Sequence, residues 1–337
     1  MKNQVAQISP DLLRTESEII ASWTEEYDQP LVSVSCITFN HEKHLEDAII
    51  GFLKQETTFP IEILIHDDAS TDGTSKIIDK YREKYPHLIK PMIQTKNQFS
   101  KGFIAQSFNV NRARGEFLAL CEGDDYWLSS SHLQRAIEVF MAEKDISIYG
   151  GASYVLKGTK VKVYTPNPKR FSLSSYVKKT PFVTTCSLVT KTEIWKKILS
   201  IPVYGGRYFA GDTRLKLISL TFGDMYVSQN PGVVYRKNSG SSSWSSRNIT
   251  EEVDVRELLD NLAITREVGI LSNYIDSDTL FRRVQSESLL KGLNLAARKG
   301  NFAWLCFILL HLKLLSPRFS RPVIYCNPLV KRLRKYK

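Results

Sequence analysis

The feature that most constrains the fold is a regular alternation of strand and helix patterns between residues 31 and 121. Four segments rich in β-branched residues predict strands, and stretches with apolar residues at helical spacing separate them. The predicted strands cover residues 31–38, 61–66, 89–94 and 117–121. Strands that alternate with helices indicate βαβ units, so the sequence predicts an α/β fold with a mostly parallel sheet flanked by helices.

Polar residues follow each predicted strand. The four clusters are Thr38-Phe39-Asn40, Asp67-Asp68, Lys96-Asn97 and the run from Glu122 to Asp125. Because ligands of parallel sheets bind beyond the carboxyl ends of the strands, we expect these clusters to share one edge and to form a binding site.

The acidic run Glu122-Gly-Asp124-Asp125 is the strongest of these clusters. Carboxylates crowded at a strand end repel one another unless a cation neutralises them, and oxygen ligands suit Mg²⁺ or Mn²⁺. Such an ion can bridge the phosphates of a nucleotide and stabilise a leaving diphosphate. The alternative is a solvated turn that caps a helix near Ser131.

The turn that begins at Asp67-Asp68 also has two interpretations. Asp72 or Thr74 can cap the following helix. Capping does not require the two carboxylates at the strand end, which can instead accept the imide N–H of a pyrimidine base or bind ribose hydroxyls. Phe39 can offer the base an aromatic face, or it can be an ordinary core residue.

Two later residues are candidates for chemistry. Asp212 begins an apolar helix predicted over 212–222, where it is either an N-cap or a general base that removes a proton from an acceptor hydroxyl. Arg236 precedes a Ser-rich loop, where it either closes over a diphosphate or forms a surface ion pair.

These residues resemble the motifs of the inverting glycosyltransferases of family 2, which have the GT-A fold. The resemblance covers roughly residues 30–245. In order, the motifs are VSVSCITFNHEKHLEDAI, ILIHDDASTDGT, RGEFLALCEGDDYW, GDTRL and VVYRKNSGSSS. Each motif alone is weak evidence for the family, but the order and spacing of the motifs together are highly specific for it.

The resemblance implies a role for each candidate. Asp212 is the implied catalytic base, and Glu122, Asp124 and Asp125 are the implied ligands of Mn²⁺ or Mg²⁺. The implied donor-binding residues are Thr38, Phe39, Asn40, Asp67, Asp68, Lys96, Asp124 and Arg236. Glu122 stands where the family often has Asp, and Asn238 where many members have His, which puts the closure of that loop in doubt.

The charge divides the chain unevenly. Residues 288–337 contain eleven Lys or Arg and no Asp or Glu, whereas the rest of the chain holds 35 basic and 35 acidic side chains. We therefore expect a helical lead-in over 1–29, a catalytic domain over 30–248 and a helical, basic extension over 249–337. The basic end suits an anionic partner. Because it contains no recognisable nucleic-acid-binding module, we do not expect that partner to be a nucleic acid.

The apolar stretch 302–315 predicts a helix about 21 Å long, too short for a hydrocarbon core of roughly 30 Å. It can lie at the inner face of the membrane with the surrounding basic residues (302–337), or it can pack on the catalytic domain. Five scattered cysteines indicate reduced thiols, and the polar N-terminus does not resemble a secretory signal. We expect a cytoplasmic location, with membrane contact as the open alternative.

The predicted function is transfer of a sugar from a nucleotide-sugar, such as a UDP-sugar, to a hydroxyl of a glycan or lipid-linked glycan. Two alternatives remain. A sugar-phosphate nucleotidyltransferase usually has a Gly-rich loop after its first strand, and residues 38–44 contain no glycine. A non-catalytic sugar-nucleotide-binding module would not need Asp124, Asp125 and Asp212 together.

Overall fold

The computed structural model describes residues 13–24, 27–201 and 211–237, together with Val268 and Leu271. The predicted extension over 249–337 lies outside these residues apart from those two positions, and so do the tail helix and Asn238. The predicted domain boundaries stay predictions.

Ten strands and eight α-helices occur in the described part of the chain. The strands are β1 (Val32–Thr38), β2 (Ile61–Asp67), β3 (Ile89–Ile93), β4 (Phe117–Leu120), β5 (Tyr126–Trp127), β6 (Ile146–Lys157), β7 (Lys160–Tyr164), β8 (Arg170–Phe171), β9 (Val189–Lys191) and β10 (Asp224–Arg236). The helices are α1 (Glu16–Ala21), α2 (Leu45–Leu53), α3 (Thr74–Lys84), α4 (Ala105–Val110), α5 (His132–Ala142), α6 (Leu173–Lys178), α7 (Thr192–Ser200) and α8 (Gly211–Ser219).

The first four strands form a parallel unit in the order β3-β2-β1-β4. All of β2 and nearly all of β1 are buried, because helices cover both faces of a parallel sheet. Helix α2 packs closely against β5 at Gly51, where an added Cβ would lie 2.7 Å from the carbonyl oxygen of Trp127. The four strands predicted from the sequence are therefore confirmed, with ends that differ by a residue or so.

The other half of the sheet is mixed. Strand β9 lies antiparallel between β4 and β6, β6 runs parallel to β10, and β5, β7 and β8 add antiparallel pairs at the edges. The α/β class is confirmed, but the expectation of a mostly parallel sheet holds only for the first half. The reason is that the three-residue strand β9 reverses direction between two parallel strands.

Helices α4 and α8 are both short. Helix α4 begins only at Ala105, because Gly102 has a φ of 92° and ends a preceding 3₁₀ turn. Helix α8 ends at Ser219 rather than at residue 222. In the described residues, no helix is both long enough and apolar enough to cross a membrane.

Candidate functional site

The strand register places the predicted clusters at one edge of the sheet. Thr38, the last residue of β1, pairs with Asp67, and Asp67 pairs in turn with Ile93 at the end of β3. The chain after β4 continues beside β1, where the Gly123 N–H donates to the Ile37 carbonyl at 2.9 Å. The edge therefore gathers Thr38, Asp67 and the acidic run, as the sequence predicts.

The loop after β1 is fastened to the turn after β2. Asn40 has a φ of 56°, a left-handed conformation that Asn tolerates better than most residues. Its N–H donates to Ser70 Oγ at 2.8 Å, and its side-chain oxygen accepts from the Thr71 N–H at 2.8 Å. Phe39 is half-buried beside it. The two loops thus form one rigid wall of the site.

The two adjacent aspartates have different environments. Both carboxylate oxygens of Asp68 are used locally, since they accept from the N–H groups of Gln98 at 2.7 Å and Phe99 at 3.0 Å. Asp67 accepts from Ser70 through Oδ1 only, and its buried Oδ2 has no hydrogen-bond partner. Burial raises the pKa of Asp67, against the hydrogen bonds from Ser70. Asp67 is therefore the better placed of the two for an incoming donor group.

The predicted Lys96-Asn97 cluster lies beyond β3. Asn97 donates to the Asp68 carbonyl at 3.1 Å, which joins this cluster to the others. Lys96 is exposed, and its carbonyl accepts from the Gln98 side chain at 2.7 Å. Donor binding by Lys96 stays a prediction.

Gly123 is the point of closest approach between the acidic run and the first loop. A Cβ there would lie 2.7 Å from Thr38 Oγ1 and 3.0 Å from His41 Nδ1. Both of these polar atoms are buried without a hydrogen-bond partner. Burial lowers the pKa of His41, although the nearby Asp124 charge opposes the shift. His41 is thus a candidate site residue that the sequence analysis missed, although it directly follows Asn40.

The acidic run presents an unsatisfied carboxylate to the site. Glu122 Oε2 is buried and has no hydrogen-bond partner. Burial, the Asp124 carboxylate and, more weakly, Asp212 raise the pKa of Glu122 to about 8, whereas Lys216 opposes the shift. Charges of α8, far away in sequence, therefore act on the acidic run.

Asp125 and Arg236 form the support beneath this run. The Arg236 N–H donates to Asp125 Oδ1 at 2.7 Å, and its guanidinium donates to the Asp124 carbonyl at 3.0 Å. That guanidinium also forms a buried ion pair with Asp47 and lies 4.4 Å from the centre of the Tyr126 ring. The alternative of a surface ion pair does not describe this position, since the ion pair of Arg236 is internal.

Asp125 itself is 2% exposed. Burial and the neighbouring Asp124 and Glu122 raise its pKa, against the hydrogen bond and charge of Arg236. Its metal contact and the diphosphate contact of Arg236 stay predictions.

Asp212 lies in the first turn of α8 and keeps a 37% exposed side chain. Its Oδ2 accepts from Lys216 Nζ, one helical turn later, at 2.9 Å. Burial opposes ionisation, but the charge and hydrogen bond of Lys216, together with backbone hydrogen bonds at Thr213 and Asp212, outweigh it and lower the pKa of Asp212. Asp212 is therefore an ionised and partly exposed carboxylate, as a general base must be, and its charge acts on Glu122 of the acidic run. The sequence analysis also missed Lys216 as a candidate site residue.

The residues that fit a divalent cation are Glu122 and Asp124. Among the described residues, no group of three or more His, Cys, Asp or Glu side chains is arranged to hold a metal ion. Mg²⁺ is commonly bound by one or two carboxylates together with substrate phosphates, and the unpartnered oxygen of Glu122 suits such a shared site. Metal binding here would accordingly depend on the phosphates of a ligand.

Known proteins resemble this chain in sequence and in fold. Residues 33–198 match the profile of the family described as glycosyl transferase family 2. An uncharacterized protein of Mycobacterium tuberculosis is 43% identical over 108 residues, which are 32% of this chain and 30% of that protein. An uncharacterized glycosyltransferase of Nostoc sp. is 28% identical over 232 residues, 67% of this chain and 70% of the relative.

A third relative has a more detailed name. WfaP of Escherichia coli, a UDP-Glc:alpha-D-GlcNAc-diphosphoundecaprenol beta-1,3-glucosyltransferase, is 31% identical over 132 residues, 36% of this chain and 50% of that protein. The chain thus spans under a third of the mycobacterial relative and half of WfaP.

Among solved structures, TarS of S. aureus (residues 1–349, in complex with UDP-GlcNAc) superimposes with a TM-score of 0.64 at 19% identity. The match covers 85% of this chain and 82% of that one, and at this identity it concerns the fold. The family profile shows that the chain belongs to glycosyltransferase family 2, and the superposition shows that it has the GT-A fold.

Proposed function

We propose that this glycosyltransferase moves a sugar from a UDP-sugar or related nucleotide-sugar to a hydroxyl of a glycan or lipid-linked glycan, in the assembly of a cell-surface polysaccharide. The observation that carries the proposal is that the partly exposed Asp212 carboxylate lies within electrostatic reach of the acidic run, where its charge contributes to the raised pKa of Glu122. A base thereby lies beside the carboxylates that would receive the donor diphosphate.

The donor would lie along the edge formed by β1, β2 and the acidic run. The unpartnered Oδ2 of Asp67 can accept the imide N–H of uracil or a ribose hydroxyl, and Thr38 lies next to it in the register. WfaP, by its name, uses a UDP-sugar and a lipid-linked diphosphate acceptor, and TarS was solved with UDP-GlcNAc. These names support a nucleotide-sugar donor and suggest the acceptor class.

The proposed reaction is one in-line displacement with inversion. Asp212 removes the proton from the acceptor hydroxyl, whose oxygen attacks the anomeric carbon of the donor. The bond from that carbon to the diphosphate oxygen breaks, and the nucleoside diphosphate leaves. Mn²⁺ or Mg²⁺, held with the donor at Glu122 and Asp124, would neutralise the charge that develops on the diphosphate.

Arg236 and Asp125 contribute by holding the acidic run in place. Arg236 clamps it through one hydrogen bond to the Asp125 carboxylate and one to the Asp124 carbonyl. A rigid run keeps Glu122 and Asp124 directed at one point, which lowers the reorganisation needed during the reaction.

A thermal-shift screen of nucleotide-sugars with Mn²⁺ tests the donor and metal assignments together. We expect one UDP-sugar to raise the melting temperature only when Mn²⁺ is present, and EDTA to remove the effect, because ligand binding stabilises the folded state. NMR of the product should then show an inverted anomeric centre. Absence of a shift with every nucleotide-sugar would overturn the donor assignment, and a retained anomeric centre would overturn the mechanism.

We also propose a cytoplasmic location with the basic segment 302–337 on the inner membrane surface, because its positive charge suits anionic lipid. The full chain should co-sediment with vesicles containing phosphatidylglycerol at low salt, and a chain ending at residue 301 should not. Equal sedimentation of the two chains would contradict this assignment.

A further inference from the structure

The buried amine of Lys216 has no place in the chemistry described so far. Lys216 is 5% exposed, and its neighbours Leu215, Leu217 and Ile218 are buried as well. A buried ammonium group is costly unless it is paired, so an apolar side chain would fit this part of α8 at lower cost. Packing alone therefore does not account for a charged side chain at this position.

The contacts of the amine connect the base to the sheet. Lys216 Nζ donates to Asp212 Oδ2 at 2.9 Å and to the Val183 carbonyl at 2.7 Å. The Asp212 carboxylate also has a backbone hydrogen bond at Thr213. Lys216, itself anchored to the Val183 carbonyl, adds a second contact from another direction, and the two contacts together fix the orientation of the carboxylate.

The carbonyl that anchors the amine belongs to a rigid segment. The next residue, Thr184, exchanges a 2.7 Å hydrogen bond with Ser153 on β6, and the Cys186 carbonyl accepts from the Trp127 indole N–H at 2.7 Å. These bonds fasten the segment to β6 and β5. A side chain held to such a segment keeps its geometry well, and catalytic rates depend steeply on that geometry.

We infer that Lys216 is a positioning residue, which holds the Asp212 carboxylate in the orientation in which it can accept the proton of the acceptor hydroxyl. This inference rests on the proposed role of Asp212 as the base. It assigns to α8 a paired unit, Asp212 and Lys216, in place of a single carboxylate.

The charges around Asp212 explain why it needs a cation. Glu122 approaches from the acidic run, since the Asp212 charge raises its pKa and the coupling of two charges is reciprocal. Tyr176 of α6 is a further ionisable neighbour, whose pKa is raised by burial and by Asp212. Burial favours a protonated Asp212, whereas the charge and hydrogen bond of Lys216, together with backbone hydrogen bonds at Thr213 and Asp212, oppose it and lower the pKa of Asp212. The lowered pKa reduces the basicity of Asp212 but guarantees that the carboxylate is available at neutral pH.

The first test compares Lys216→Gln, which keeps a hydrogen-bond donor without the charge, with Lys216→Met, which removes both. Lys80→Gln is the matched control, because Lys80 forms an exposed ion pair with Glu46. The assay is release of UDP from UDP-glucose or UDP-N-acetylglucosamine with Mn²⁺ as a function of pH.

We expect Lys216→Gln to lower kcat about 10- to 100-fold, with the KM for the donor changed less than about threefold. Its acidic limb should move to higher pH, because the pKa of Asp212 rises when the neighbouring charge is lost. Lys216→Met should lower kcat further than Lys216→Gln does, and Lys80→Gln should have the kcat of the wild type. An unmoved acidic limb in Lys216→Gln would overturn the inference, since a purely structural role does not shift a pH profile.

A direct titration separates this inference from the proposed function. In protein labelled with [4-¹³C]aspartate, the signal that disappears in Asp212→Asn reports Asp212. We expect its pKa to lie below the ordinary value of about 3.9 in the wild type and to rise in Lys216→Gln. An ordinary or raised pKa in the wild type would overturn the inference, even if neither Lys216 variant folds. Absence of UDP release from the wild type would instead count against the proposed function.

Discussion

The two sides of the candidate site differ in how their carboxylates are satisfied. On the side formed by β1, β2 and the acidic run, which we call the donor side, Asp67 and Glu122 each have a buried oxygen without a partner, as does Thr38. On the side formed by α8, the base side, Asp212 is paired with a buried lysine. The donor side therefore has buried polar atoms that lack a partner, whereas the charge of the base side is already neutralised by Lys216.

This difference indicates where a ligand should act. A buried polar atom without a partner destabilises the folded protein by about 1–3 kcal/mol, and a ligand that supplies the partner recovers that free energy. Binding of a donor and a cation should therefore stabilise the donor side, whereas the base side should respond little to ligands. The following substitutions test this division.

The largest effect is expected on the base side. Asp212→Asn should lower kcat about 1,000-fold, because the amide cannot take up the acceptor proton. UDP affinity measured by calorimetry should stay within about twofold of the wild type, since no part of the donor side is changed. Glu122→Gln is the matched control, and it should weaken UDP binding with Mn²⁺ more than it lowers the turnover of bound donor. Retained turnover in Asp212→Asn would remove Asp212 as the base.

The next effect concerns the support of the donor side. Arg236→Met leaves Asp47 as a buried charge without its ion-pair partner and should lower the free energy of unfolding by about 3 kcal/mol in urea denaturation. Adding Asp47→Leu should recover part of the loss, because an apolar pair avoids the uncompensated charge. An Arg236→Met variant as stable as the wild type would contradict a supporting role for this ion pair.

The sequence predicted the donor side well, for a physical reason. Parallel strands joined by helices end at the same edge, so the alternation alone brings Thr38, Asp67 and the acidic run together. It could not distinguish Asp67 from Asp68, because the difference arises from a 3₁₀ turn some thirty residues later whose N–H groups occupy only Asp68.

The base side could not be predicted to the same depth. Lys216 lies between two leucines in α8, and its second partner, the Val183 carbonyl, is 33 residues away. The buried ion pair of Arg236 could not be predicted either, because its partner Asp47 lies 189 residues earlier. Buried charges depend on partners that are distant in sequence, and periodicity carries no information about them. The short strand β9, which makes the sheet mixed, was missed because three residues carry too weak a pattern.

A smaller effect is expected at the contact within the donor side. In Gly123→Ala, the new Cβ would lie 2.7 Å from Thr38 Oγ1, so the first loop and the acidic run must separate. Overpacking of this kind costs about 1–3 kcal/mol, and we expect donor affinity to fall about tenfold. Gly151→Ala is the control, because the nearest side-chain atom is 3.6 Å from the new Cβ. Equal donor affinities for the two variants would show that the approach at Gly123 does not shape the site.

The smallest effect is a gain of stability at Asp67. Because the folded protein raises the pKa of this carboxyl, it binds the proton more tightly than the unfolded chain does. The free energy of unfolding therefore falls as pH rises from the ordinary pKa, about 3.9, through the raised one, and it stays lower above. Asp67→Asn should raise the melting temperature at pH 7 by an amount equivalent to no more than about 1 kcal/mol, and the gain should vanish near pH 3.

Asp68→Asn provides the opposite sign for comparison. Both oxygens of Asp68 accept backbone N–H groups, so loss of its charge should lower the melting temperature at pH 7. Asp67→Asn should also weaken binding of the UDP-sugar, since the carboxylate is the proposed acceptor for the base or ribose. If Asp67→Asn lowers the melting temperature as Asp68→Asn does, the free oxygen of Asp67 is not a source of instability. The donor side would then be as complete as the base side, and its dependence on a ligand would need another explanation.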